Sequence, residues 1–130
     1  MNKKSTWTLV AFFSLLLSGC ATIGSLRPGD GTSFEITNKS YDQVWKAAIT
    51  VVGRSLTIVE SDKQTGVIKA EKGAGLATWG EVVGVFIKPA NTDSKRFTVV
   101  VESKKRVLFQ ITGQNWERTI IEGIKAELDL

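Results

Sequence analysis

The sequence predicts a two-layer α+β sandwich, a curved antiparallel sheet of five to six strands with two helices on one face. Three observations predict it. Two segments, near residues 41–52 and 116–128, carry apolar side chains at helical spacing. Short alternating or β-branched runs lie before and between them. The turns joining those runs are too short for a parallel crossover, so neighbouring strands must be antiparallel.

Before the domain comes a processing signal. Lys3 and Lys4 are followed by the apolar run from Trp7 to Leu17 and then by small residues. A charged start, an h-region of this length and a small-residue site describe a secretory signal. The run falls short of the roughly 20 apolar residues needed to span a bilayer. At its end stands Leu17-Ser18-Gly19-Cys20, and the chain has no other cysteine. This tetrapeptide resembles the lipobox of bacterial lipoproteins. The resemblance implies cleavage of residues 1–19 and lipidation of Cys20, with two acyl chains on a glycerol and commonly a third on the new amino group. Each buried methylene contributes on the order of 0.8 kcal/mol, and one chain alone anchors only marginally. In the Gram-negative members an aspartate after the cysteine favours inner-membrane retention. Ala21 therefore implies export to the outer membrane, facing the periplasm, in such a host.

Cleavage would leave 111 of the 130 residues, enough for one domain. Lys3 and Lys4 leave with the signal, so the net charge falls from +4 to +2. That weak balance argues against nucleic acid as a partner. With Cys20 lipidated no disulfide is available, and an apolar core has to hold the fold.

Residues 20–32 form the lipidated cysteine and its tether. Ala21 to Thr32 is rich in Gly, Ser and Thr, with Pro28 and Asp30 between glycines, and reads as a flexible spacer. Residues 33–130 form the single domain. Ser33 to Thr37 alternates as a short first strand. Ser40 with Gln43 makes a capping box for the first helix. Tyr41, Val44, Trp45, Ala48, Val51 and Val52 share one arc of it, and Gly53 is the expected stop.

Leu56–Ser61 and Val67–Lys72 form a hairpin around Asp62–Gly66. Gly73–Gly80 is a loop. Glu81–Lys88 is the next strand, expected to end before Pro89, which cannot donate to a ladder. Arg96–Ser103 and Arg106–Thr112 form a second hairpin, turning at Lys104-Lys105. Asn115 caps a last helix from Trp116 to about Leu128, with Ile120, Ile121, Ile124 and Leu128 on its apolar face. The order is β-α-β-β-β-β-β-α. In outline it resembles the helix-grip modules of small outer-membrane lipoproteins, such as that of the β-barrel assembly machinery.

Catalytic chemistry has few candidate groups. The sequence has no histidine, which removes the commonest general base and transition-metal ligand. Glu60 and Asp62 project from the same side of a strand, so paired acid–base work is conceivable, but solvated acids at a hairpin explain them more simply. Gly73-Ala74-Gly75 opens like a phosphate-binding loop, yet Thr78 stands where the third glycine would fall, and the fingerprint fails. No metal site and no cofactor are expected. Lys95/Arg96 and Lys104/Lys105/Arg106 lie about 23 Å apart at opposite ends of one strand, at roughly 3.3 Å per residue, and read as separate solubilising charges. Trp79 in its glycine-rich loop, with Leu76 close by, is the candidate anchor for a protein partner. The function expected is a non-enzymatic, lipid-anchored accessory module of a cell-envelope assembly or transport system. The alternative is a binder of a lipid or small apolar ligand in a sheet–helix cleft.

Overall fold

In the computed structural model, residues 21–75, 80–90, 95–107 and 113–130 are described. The architecture is the two-layer α+β sandwich expected. Strands β1 (Thr32–Thr37), β2 (Thr57–Asp62), β3 (Val67–Lys72), β4 (Glu81–Pro89) and β5 (Arg96–Lys105) form one open sheet in the order β1-β5-β4-β3-β2. Every neighbouring pair is antiparallel. Helices α1 (Tyr41–Ser55) and α2 (Trp116–Glu127) share one face.

α1 starts as its sequence dictates. Ser40 Oγ accepts the Gln43 N–H, and Gln43 Oε1 accepts the Ser40 N–H, so two first-turn donors are satisfied reciprocally. Val44, Ala47, Ala48, Val51 and Val52 are its buried residues. Tyr41 and Trp45 are half-buried and stack at the rim, ring centres 6.4 Å apart. Gly53 does not stop the helix. It continues to Ser55, and the Leu56 N–H still bonds back to Val52. The Leu56 side chain, 7% exposed, is buried in the core.

The core between the layers is filled by Ile36, Val52, Ile68, Val85, Val99 and Ile124, each 0–1% exposed. Pro89 is the last residue of β4 and sits opposite Phe97. That terminal position tolerates the missing N–H. The expected turn at Lys104-Lys105 is corrected: β5 runs through both residues, pairing Lys105 with Glu81 and Lys104 with Val82. Lys104 has a local reason to stay extended, because its ammonium is held by carboxylates beside the strand, as described below. A sixth strand was expected over 106–112, of which residues 108–112 lie outside the described residues.

Asn115 caps α2 as its residue type predicts, its Oδ1 accepting the Arg118 N–H. The two helices are tied at one end by Arg54 and Glu127, 2.7 Å apart. The β2–β3 turn is tied to the start of α1. Tyr41 donates its hydroxyl to the Lys63 carbonyl, and the Lys63 ammonium lies 2.8 Å from Asp42.

Candidate functional site

The sheet has a second buried face. β4 from Val82 to Ile87 is apolar without alternation except at Gly84, which is the pattern of a strand covered on both sides. Val83, Val85 and Ile87 point to the helices. Val82 and Phe86 point the other way and form a separate cluster with Val100 and Leu26. Phe86 lies across Gly84: a Cβ built there would fall 2.8 Å from the ring and 3.4 Å from Leu26. Only glycine leaves room for the ring to lie that flat.

Leu26 comes from the segment expected to be a free spacer, and that expectation is corrected. Residues 21–31 form a strap across this back face. A short 3-10 turn, Ile23–Ser25, sits over β3 and β4, closed by the Ser25 hydroxyl, which accepts the Thr22 N–H and donates to the Thr22 carbonyl. Leu26 is 1% exposed, and Ala21, Ile23 and Val67 pack at the cluster's margin. The physical reason is burial. Fully sequestering a leucine side chain gives about 1.5–3 kcal/mol, which offsets the ordering of one or two backbone residues at about 1–2 kcal/mol each and leaves the rest to the strap's other contacts.

Polar contacts fix the strap. Glu102 is buried at 1% exposure, and its Oε2 accepts the Arg27 N–H at 2.5 Å. Its Oε1 is 2.7 Å from Lys104 Nζ, which also donates to the Ser25 carbonyl and lies 3.7 Å from Asp30. Lys104 thus bridges the sheet and both halves of the strap. Its hydrogen bond to Glu102, helped by the charges of Glu102 and Asp30, holds the ammonium above its usual pKa against the desolvation that lowers it. A buried carboxylate without such a cation would cost several kcal/mol.

Other charged residues on this face are paired as well. Lys69 meets Glu60 at 3.1 Å, and Arg106 donates to Glu71. Glu60 is therefore engaged in an ion pair. Asp62 accepts the Gln64 and Thr65 N–H groups in the β2–β3 turn, and hydrogen bonds from Thr65 and Gln64 lower its pKa. The two acids do share a side of β2, as expected, but each is committed to a structural partner. Lys104 and Arg106 are likewise ion-paired rather than free solubilising charges, which corrects that expectation. No group of three acids that could hold a metal occurs among the described residues.

Two grooves open at the rim of the helix layer. One, of about 250 Å³, is lined by Lys39, Lys46, Glu127 and Asp129. The other, of about 400 Å³, runs between β1 and α2, lined by Phe34, Ile121, Arg118 and Lys125. The Lys125 ammonium is 5.7 Å from the centre of the Phe34 ring.

Cys20, Leu76 and Trp79 lie outside the described residues. Sequence reasoning missed the strap and the burial of Glu81 and Glu102. Two signals for the strap were present: Ile23 and Leu26 at a three-residue spacing, and the continuous apolar run of β4. No family model matches the chain, and no curated protein matches it either.

Proposed function

We propose that this chain is a bacterial lipoprotein, anchored through Cys20 to the periplasmic side of an envelope membrane, acting by protein contacts as an accessory module of an assembly or transport system. The tetrapeptide Leu17-Ser18-Gly19-Cys20 at the end of a short h-region supports the anchor. The observation that carries the mechanical part is the strap. Ala21, the residue next to Cys20, already packs at the margin of the back-face cluster. No slack chain separates the acylated residue from the folded domain, so the back face is held at the headgroups rather than on a flexible stalk. A domain docked this way presents its helix layer and sheet edges outward at a fixed orientation.

Intact-mass measurement of the membrane-extracted chain tests the anchor. The expected mass is that of residues 20–130 plus a diacylglycerol and an amide-linked acyl chain. A Cys20→Ser variant should leave the membrane fraction. An unmodified thiol, or a serine variant bound as firmly as the parent, would overturn the proposal.

A further inference from the structure

The two edges of the sheet are built differently. β2 carries a bulge between Ile58 and Glu60, and its outer half bears Glu60 and Asp62. Bulges and edge charges are the usual devices that block strand addition. β1 has neither a bulge nor a proline nor a lysine. Its six residues pair with β5 in unbroken register from Thr32↔Val101 to Thr37↔Arg96, and its single charge is Glu35. Among the described residues no strand pairs with its outer side. Such an edge is a template for another strand.

We infer that β1 pairs antiparallel with β1 of a second copy of this chain, about a two-fold axis through Phe34 and perpendicular to the sheet. Residues opposite one another across such a pair point to the same face, so the registers available to a symmetric pair are few. With the axis at Phe34, the two Phe34 rings meet on the helix side, and Glu35 faces Ser33 of the second copy. With the axis one residue on, Glu35 would face Glu35, a like-charge pair that destabilises. The groove beside β1 obeys the same symmetry. The side of α2 that lines it carries Glu117 and Arg118 in its first turn and Glu122 and Lys125 in its last turns. Glu117 is held within its own chain by the Thr32 hydroxyl and the Ser103 N–H, but an antiparallel second helix brings Arg118 towards Glu122 of the other copy. That pair is complementary under the same axis that aligns the strands.

The axis also suits the anchor, and this part rests on the lipoprotein proposal. A two-fold perpendicular to the sheet leaves both back faces, and both straps, on the same side. Both Cys20 residues then enter one bilayer, whereas an axis lying in the sheet plane would send them to opposite sides. Two anchors on one rigid body also confine the pair to a plane and raise its effective concentration.

Disulfide trapping in membranes from cells making the full chain tests this. Ser33 and Glu35 are exposed, so cysteines there leave the core intact. Co-expression of differently tagged Ser33→Cys and Glu35→Cys chains under mild oxidation should yield a mixed dimer of twice the chain mass. Glu35→Cys alone should give at least tenfold less, and the parent chain none. Equal trapping by Glu35→Cys alone, no dimer in either case, or an adduct to a different protein would each overturn the pairing. The intact mass of the same sample reports separately on acylation. Trapping without lipid would sink the anchor and keep the dimer, and lipid without trapping the reverse.

Discussion

The indole N–H of Trp116 donates to the buried carboxylate of Glu81, joining the first turn of α2 to the first residue of β4. Both side chains are nearly inaccessible, at 5% and 4% exposure. A buried carboxylate has to be satisfied, and the indole N–H supplies a donor. Trp116 belongs to the core, and its polar end ties the start of α2 to β4.

Replacing Trp116 with phenylalanine keeps most of the apolar surface and removes the donor. The buried acceptor is then left short of a partner, which costs about 1–3 kcal/mol. Urea unfolding should show a loss of that size. Glu81→Gln, which keeps an acceptor oxygen, should lose less.

Gly113 is fitted to the same carboxylate. Its φ is +141°, and a Cβ on it would lie 2.2 Å from Glu81 Oε1. Gly113→Ala therefore combines a disfavoured backbone with a clash against a buried charge, and should cost at least about 2 kcal/mol. Thermal denaturation measures it. An alanine as stable as the parent would show that the chain entering α2 does not pass this close to Glu81.

The helices meet where Gly123 faces Val51. A Cβ at Gly123 would approach Val51 Cγ1 to 2.6 Å, and a β-branched side chain has little freedom to yield. Gly123→Ala gains about 1 kcal/mol of helix propensity and loses about 1–3 kcal/mol to overpacking. The expected net effect is destabilising. Adding Val51→Ala should recover part of the loss, because it vacates the space the new methyl needs. Additive losses in the double variant would contradict the contact.

The strap should be alkali-sensitive. Lys104 has its folded-state pKa raised above the ordinary 10.5, chiefly by Glu102. A raised cationic pKa contributes stability that is complete below the ordinary value and is lost as pH climbs through the raised one. Amide exchange at Arg27, whose N–H is held by Glu102, should stay protected from neutral pH to about 10 and weaken above it. Lys104→Met should start less protected and lack the alkaline step.

Much of the fold was legible in the sequence because its signals are local. The Ser40–Gln43 box and the Asn115 cap are satisfied within three residues, so residue type alone predicts them. The hairpin at Asp62–Gly66 follows from turn chemistry in the same way. Gly53 misled because a glycine near a helix end is read as a stop, while the burial of Leu56 draws the helix two residues further.

What the amino-acid order determined by itself was the α+β class, the succession of elements, the two apolar helix faces and the absence of histidine chemistry. These follow from period, caps and composition, which act over a few residues at a time. Tertiary structure alone decided that Ala21–Gly31 lies on the sheet, that Glu81 and Glu102 are buried, and that β1 stands, among the described residues, at a regular edge of the sheet. Each depends on partners distant in sequence: Leu26 on Phe86, Arg27 on Glu102, Trp116 on Glu81. A glycine-rich segment reads as a free spacer until the strand beneath it proves to be apolar on both sides.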